Sequence, residues 1–363
     1  MPAMDFAVAL WLVIGLVALV GGAELLVRGA ARIALATGLS PLVVGLTVVA
    51  LGTSAPELAT SLGAALQGSP DIAVGNVLGS NIANVLLVLG IAALVAPLVV
   101  ARQLIWLDAP LLVGIAGAVW LMSLDHRIGR IEGIALVLGA AAYTVLLVWM
   151  SRRGQGIAEA GDDLDDMPKR PLWFNLLLFV AGLALLVLGA RWLVQSAVTI
   201  AQSLGVSELI IGLTVIAIGT SLPEIATSIL AVARGQRDLA AGNVIGSCIF
   251  NLLLVLGATA AVAPDGVHIS NAALHFDIPV MVATAVACLP IFFTGHYIAR
   301  WEGGLFLGYY IAYVAYLLLA NTHHAALETF SSVMLWFVIP LTALTLLVVV
   351  SHALRNPRNG APR

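Results

Sequence analysis

No residue between Ile72 and Val99 carries a formal charge, and the same holds for Ile134–Met150 and Val333–Val350. Uncharged, mostly apolar runs of about 17 to 28 residues have the length of a helix that crosses the hydrocarbon of a bilayer. Across the chain, 61% of residues are hydrophobic and 10% charged, where soluble domains carry about 25% charged residues. The sequence therefore reads as an all-α polytopic membrane protein. Apolar runs divided by charge or by Gly, Pro and Asp predict spans at 6–33, 40–66, 72–98, 104–123 and 130–150, then at 172–202, 207–233, 239–263, 275–295, 301–320 and 330–352. The first run, Phe6–Ala23, is too long for a signal peptide and is preceded by Asp5 with no Lys or Arg, so it is expected to remain as a span. Cys248 and Cys288 fall in different spans, which supports neither a disulfide framework nor a cysteine metal motif and leaves packing as their role.

Two halves repeat. Gly45–Gly90 laid without gaps on Gly212–Gly257, an offset of 167, is identical at 29 of 46 positions. The match extends outward: Gly22-Ala23 pairs with Gly189-Ala190, Asp108 and Pro110 with Asp277 and Pro279, and Arg130-x-Glu132-Gly133 with Arg300-x-Glu302-Gly303. Each unit has five spans, an odd number, so consecutive copies must enter the membrane from opposite sides. The expected organisation is a first five-span unit (1–150), a linker (151–171), a second, inverted unit (172–320), and an extra helix with a tail (321–363).

Charge distribution supplies the orientation. Arg28, Arg32, Arg102, Arg152, Arg153, Lys169, Arg170, Arg234, Arg237, Arg300, Arg355, Arg358 and Arg363 collect on one side, 13 of the 16 basic residues. Only Arg127 and Arg130 fall on the other, and Arg191 lies within a span. The positive-inside rule then places the N-terminus outside and the linker and tail in the cytoplasm of a cell whose inner membrane holds the protein. The linker carries an acidic run, Glu159, Asp162, Asp163, Asp165 and Asp166. It lacks the spaced ligands and central glycine of a calcium loop and reads as a solvated connector.

Chemistry concentrates in Gly52-Thr53-Ser54-Ala55-Pro56-Glu57 and its twin Gly219-Thr220-Ser221-Leu222-Pro223-Glu224, both near mid-span. A proline there removes a backbone donor and clashes with the carbonyl four residues earlier, so the helix must kink or break. A carboxylate at that depth costs roughly 2.5 to 3.5 kcal/mol on insertion scales, and two brought together also repel. A bound cation offsets both effects, and oxygen-only donors suit hard ions such as calcium and sodium.

The following span of each half adds amides and hydroxyls: Gly75-Asn76-Val77-Leu78-Gly79-Ser80-Asn81-Ile82-Ala83-Asn84 and Gly242-Asn243-Val244-Ile245-Gly246-Ser247-Cys248-Ile249-Phe250-Asn251. Ser80 and Asn84 share one helical face, as do Ser247 and Asn251. Taken singly, intramembrane Ser and Asn commonly bridge helices and Gly-x-x-x-Gly commonly serves packing. Two glutamates at equivalent places in an inverted repeat have no such ordinary explanation. Glu24 and Arg28 are spaced to pair on one helix face. Asp108, Asp277, Glu132 and Glu302 lie toward span ends, where capping is favoured over an ion entrance, and Asp71 and Asp238 fit helix starts.

These paired blocks resemble the alpha-repeats of the sodium/calcium exchanger family within the calcium:cation antiporter superfamily, and the resemblance covers roughly residues 6 to 320. It implies a transporter rather than an enzyme, with a core of ten helices in two inverted halves and a cluster of cation sites at the membrane centre. It also implies Ca2+ and Na+ as transported ions, with no cofactor and no nucleic-acid partner; a monomer in the bilayer fits it. Carried over by motif position, Glu57 and Glu224 are the acidic ligands and Asn84 and Asn251 their partners. Thr53, Ser54, Ser80, Thr220, Ser221 and Ser247 supply hydroxyl or carbonyl oxygens, with backbone oxygens from Ala50 and Ala217. Some potassium-dependent relatives have Asp where this chain has Asn251, which argues against potassium coupling. The helix at 330–352 is additional to the family's ten, and the linker is too short for the regulatory calcium domain of animal relatives. In the family the first and sixth spans slide across the core, and Gly21-Gly22 and Gly189 are expected to ease that movement. Exchange of Ca2+ for Na+ by alternating access is the leading expectation; proton-driven exchange, a passive cation channel and a non-transporting sensor are the alternatives, and Mn2+ or Mg2+ remains open as cargo.

Overall fold

A computed structural model describes residues 6–155, 171–204 and 217–355. The acidic run of the linker, the first part of the predicted seventh span (207–216) and the tail arginines Arg358 and Arg363 lie outside these residues. The described chain is almost entirely helical. Its long apolar helices are Ala7–Thr37, Ile72–Val95, Leu104–Asp125, Arg130–Arg153, Leu172–Ser203, Arg237–Val262, Ala273–Phe293, Arg300–Asn321 and Ala326–Ser351. The second span is the broken pair Pro41–Thr53 and Ala55–Leu66, bent by 41°. The described part of the seventh comprises Ala217–Thr220 and Leu222–Ala233.

Two short backbone pairings fix the relative direction of the halves. Leu98–Val99, after the third span, pairs antiparallel with Tyr297–Ile298, before the tenth. Arg127–Ile128, before the fifth span, pairs antiparallel with Val267–His268, after the eighth. One span separates Leu98–Val99 from Arg127–Ile128, so the two pairings lie on opposite faces of the membrane region. The loop after the third span and its repeat counterpart after the eighth are therefore on opposite faces, as inversion requires. Arg300 follows the same geometry, donating from Nη2 to the Val95 carbonyl at 3.2 Å.

Burial separates core from periphery. In the most apolar stretches of the third and eighth spans, Ile72–Val95 and Arg237–Val262, 83% of residues are buried, whereas none is fully buried in that of Ala326–Ser351. The central pair thus forms the axis around which the broken spans pack, and the additional C-terminal helix rides on the outside. A Tyr309 hydroxyl bond to Thr342 Oγ1 at 2.7 Å ties that helix to the tenth span.

The first and sixth spans pack against each other along their length through glycines. A Cβ added at Gly22 would lie 2.4 Å from the Leu186 backbone nitrogen, and one at Gly189 would lie 2.4 Å from that of Leu19. Gly15, Gly29 and Gly182 meet the opposite backbone in the same way. With no side chain in between, the two backbones touch, which small residues permit in membrane helices. Gly22 and Gly189 therefore bind the two long helices to one another. They do not smooth a surface facing the core, which corrects the role expected for them, while Gly21 meets only the tip of Leu185.

The terminal carboxylates divide into two kinds. Glu132 and Glu302 cap their helices, accepting from the Gly129 and Ala299 backbone N–H groups at 2.7 Å each. Asp108, expected near water, is instead fully buried, and accepts from the Tyr143 hydroxyl at 2.9 Å and from Gln103 Nε2 at 3.2 Å. Asp277 accepts from Tyr313 at 2.9 Å in the equivalent place. A π-helical turn precedes each aspartate, Leu104–Asp108 and Ala273–Asp277, and the aspartate closes it. Each Asp–Tyr bond pins the fourth helix of its half to the fifth. Cys248 and Cys288 are free and buried.

Substituting Val at Gly22 or Gly189 forces a branched side chain into a backbone contact and is expected to cost about 1–3 kcal/mol through overpacking. Gly63→Ala, where nothing lies within 4 Å of the added Cβ, is the matched control. Thermal unfolding of the detergent-purified variants checks this; equal melting temperatures for all three would refute the seam.

Candidate cation site

The break in each broken span follows from its sequence. Ser54 has φ −81° and ψ 3°, and Ser221 has φ −89° and ψ 4°, values that leave the helical region just before Pro56 and Pro223. Proline fits the first turn of the new helix because its missing N–H would lack a partner there anyway. Glu57 and Glu224 consequently sit in the first turns of Ala55–Leu66 and Leu222–Ala233. Backbone N–H groups at that end carry positive partial charge and favour a carboxylate.

Both glutamates are fully buried, and they lie close enough to repel one another electrostatically. Asn84 and Asn251 are fully buried as well, and each begins a π-helical turn, Asn84–Leu89 and Asn251–Leu256. The wider turn occurs at repeat-equivalent places in the two central spans. Such turns concentrate at functional sites because they redirect side chains and loosen the hydrogen-bond ladder.

The side-chain N and O atoms of Glu57, Asn84, Glu224 and Asn251 share one property: none makes a well-formed hydrogen bond within the protein, although all are buried, and only Thr53 approaches Glu224 and Cys248 approaches Asn84 among the described residues. Buried polar atoms without partners are rare, and each demands a reason. Ser54 and Ser221 hydroxyls are also buried and unpartnered. Thr53 lies beside Glu224 and contacts Ser247 Oγ at 3.3 Å, so it reaches from the first half into the second. Ser80 and Ser247 are buried within the central spans. The Ala50 carbonyl accepts the Ser54 N–H at 3.0 Å and approaches Thr53 Oγ1 at 3.4 Å, which leaves it fewer free lone pairs than expected. In the second half the Ser221 N–H goes to Ile218 at 3.1 Å; Thr220 is half-buried, and Ala217 opens the short helix before it.

Five polar residues supporting the site, all buried except the half-buried Asn76, escaped recognition as such in the sequence. Asn76 Nδ2 donates to Ser61 Oγ at 2.9 Å and to the Glu57 carbonyl at 3.1 Å. In the second half Asn243 Nδ2 donates to Ser228 Oγ at 3.1 Å. Thr227 is fully buried with an unpartnered hydroxyl one turn beyond Glu224, whereas its counterpart Thr60 is exposed. The repeated Asn and Ser spacing was the available signal for the first two pairs. Thr60 and Thr227 are identical in sequence and differ only in what covers them.

That difference runs along the whole helix. Leu222, Ala226 and Leu230 pack on a cluster of Leu19, Ala23, Leu186 and Ala190 from the first and sixth spans. Their counterparts differ: Ala55 and Ala59 are exposed and Gly63 half-exposed. The paired long helices therefore cover the second-half site helix and leave the first-half one open. At the covered end, Glu24 of the first span binds Arg234 Nη2 at 2.6 Å and Arg234 Nε at 3.0 Å, and also pairs with Arg28.

The profile of the family described as sodium/calcium exchanger protein matches residues 7–149 and 174–319. The chain belongs to the sodium/calcium exchanger family. Among its relatives, the proposed antiporter CaxA of Alkalimonas amylolytica is 42% identical over 284 residues, 77% of this chain and 88% of CaxA. The inner membrane protein YrbG of Escherichia coli (strain K12) is 36% identical over 235 residues, 62% of this chain and 70% of YrbG. The fold matches the sodium-calcium exchanger NCX_Mj soaked with 10 mM Na+ and zero Ca2+, with a TM-score of 0.73 and 31% identity over 85% of this chain and 98% of that one. The same exchanger without Na+ and Ca2+ matches with a TM-score of 0.74 and 30% identity, over 86% of this chain and 100% of that one. As a member of this exchanger family, the chain is a multi-pass membrane antiporter of cations.

Replacing either glutamate by glutamine removes half of a desolvated, self-repelling pair. In buffer free of divalent ions and Na+, Glu57→Gln and Glu224→Gln are expected to melt at or above the parent temperature. A lower melting temperature for both variants in thermal unfolding would mean that the carboxylates are satisfied by the protein itself.

Proposed function

We propose that this protein exchanges Ca2+ for Na+ by alternating access, with a divalent ion bound between Glu57 and Glu224. One observation carries the reading: two buried carboxylates and two buried amides, one of each from either half, make no well-formed hydrogen bond within the protein. Together with Thr53, Ser54, Ser80, Thr220, Ser221 and Ser247 and the backbone oxygens of Ala50 and Ala217, they form a donor set of oxygens at lipid depth. Ca2+ takes six to eight oxygen ligands and tolerates irregular geometry, which suits mixed carboxylate, amide and hydroxyl donors. Na+ competes for the same ligands, and two neutral amides in place of further acids limit the net charge of the empty site to that of the glutamates.

The matched structures, of a sodium-calcium exchanger soaked with Na+, Ca2+ or Sr2+, support this choice of ions. Protons are the competing driver, because a carboxylate in a low-dielectric site is readily protonated. Purified protein in liposomes separates the two. Radioactive Ca2+ uptake should follow an opposing Na+ gradient and ignore a pH gradient of equal size. Uptake driven by pH alone makes the protein a Ca2+/H+ antiporter, and uptake without any counter-gradient makes it a channel.

The unequal covering of the two site helices supports alternating access over a channel. In the inverted arrangement the long-helix pair would lie over Ala55, Ala59 and Gly63 and uncover Leu222, Ala226 and Leu230. The basic loops put the covered end, with Arg234, in the cytoplasm and the N-terminus outside, in an inner membrane. The repeat counterparts of Glu24 and Arg234 are Arg191 and Gln67, a pair without opposite charges. The ion pair therefore favours the arrangement seen here, open toward Gln67. Glu24→Gln should raise maleimide labelling of a cysteine placed at Ala226 by about 1.4- to 5-fold, the equivalent of ~0.2–1 kcal/mol for an exposed ion pair. Unchanged labelling would show that the ion pair has no part in the equilibrium.

A further inference from the structure

A hydroxyl that ligates a cation must turn its proton elsewhere. Thr53 Oγ1 has one proton and two lone pairs, and it lies beside the Glu224 carboxylate. If its proton turned toward Glu224, the hydroxyl would occupy a carboxylate lone pair and present the wrong end of its dipole to the ion. A good acceptor behind the hydroxyl prevents this.

Asn243 is placed to be that acceptor. Thr53 Oγ1 donates to Asn243 Oδ1 at 3.1 Å, across the boundary between the halves. The other end of the amide, Nδ2, donates to Ser228 Oγ at 3.1 Å. Asn243 and Ser228 are fully buried, so neither amide end can use water instead. The direction of the amide is consistent between halves: Asn76 also donates from Nδ2 to the equivalent serine, Ser61, at 2.9 Å. Other groups near the Thr53 hydroxyl are Ser247 Oγ at 3.3 Å and the Ala50 carbonyl at 3.4 Å. The carbonyl already accepts a backbone N–H, and Ser247 is itself a candidate ligand.

We propose that Asn243 is a positioning residue that holds the Thr53 proton away from the site, keeping the Thr53 oxygen and the Glu224 carboxylate both available to the transported cation. The proposal rests on the cation site described above. Ser228 acts one step further back by accepting from Asn243 Nδ2, the direction that the acceptor-only Glu57 carbonyl sets for Asn76 in the first half. Because Ser228 is one turn from Glu224 on the same helix, the chain Thr53–Asn243–Ser228 also sets the first-half hydroxyl against the second-half carboxylate.

A double-mutant cycle tests this in proteoliposomes, with radioactive Ca2+ uptake driven by a Na+ gradient. Asn243→Leu is expected to raise the half-saturating Ca2+ concentration about tenfold, the size of one lost hydrogen-bond contribution at a charged site, with the maximal rate per folded protein retained. In a Thr53→Val background the same change should add nothing, because the hydroxyl it orients is gone. Ser228→Ala should show a smaller rise that likewise vanishes with Thr53→Val, and it decides the matter if Asn243→Leu does not fold. Penalties that multiply in the double variants, or a loss of maximal rate with unchanged half-saturation, would overturn the proposal. Glu57→Gln is the control for the site itself: if that variant transports normally, the site reading fails; if it is inactive while the penalties multiply, only the role of Asn243 fails.

Discussion

Two carboxylates held close together in a low-dielectric interior repel each other, and each has lost its hydration. Coulomb energy between unit charges scales inversely with the effective dielectric, so a pair that would be indifferent in water becomes expensive at membrane depth. Glu57 and Glu224 are in this position, fully buried and without a well-formed hydrogen bond from the protein. The rest of the architecture serves the pair. Proline-broken helices aim helix N-termini at it, π-helical turns present Asn84 and Asn251, and the glycine seam keeps the long helices in one piece beside it.

Inversion explains how one short motif builds a closed site. A single copy contributes one carboxylate, one amide and a few hydroxyls, too few for a hard cation. Two copies related by an axis in the membrane plane bring complementary sets together from opposite sides. Exact symmetry would cover the two site helices equally, whereas the long-helix pair covers only the second-half one. The sequence differences that break this equality are local: Leu222 and Leu230 replace Ala55 and Gly63, and Glu24 and Arg234 replace Arg191 and Gln67. Each favours contact at the second-half helix, which is the one covered here.

Much of this was legible before any coordinates. Uncharged runs and an odd-span repeat with 29 identities in 46 positions pointed to the inverted helical fold, and the Pro-Glu pairs located the two broken spans. Capping by Glu132 and Glu302 was also readable, because a carboxylate near a helix start has few other uses. Asp108 was not: its partner Tyr143 is 35 residues away, and nothing local shows that the two meet. Nor was the role of Gly22 and Gly189, since spacing identifies a close approach without naming what approaches. The unequal burial of Thr60 and Thr227 cannot be read from the two threonines themselves, because it is set by the long helices that pack on Leu222, Ala226 and Leu230. Asn243 and Ser228 stood in plain sight, but the direction of an amide depends on neighbours from two other helices.

A divalent ion shared by Glu57 and Glu224 would be visible by anomalous diffraction from crystals soaked in Sr2+. A single strong peak is expected between the two side chains, about 2.3–2.6 Å, or slightly more for the larger ion, from a carboxylate oxygen of each. A peak bound to one glutamate alone, or no peak between them at saturating Sr2+, would contradict a shared ion.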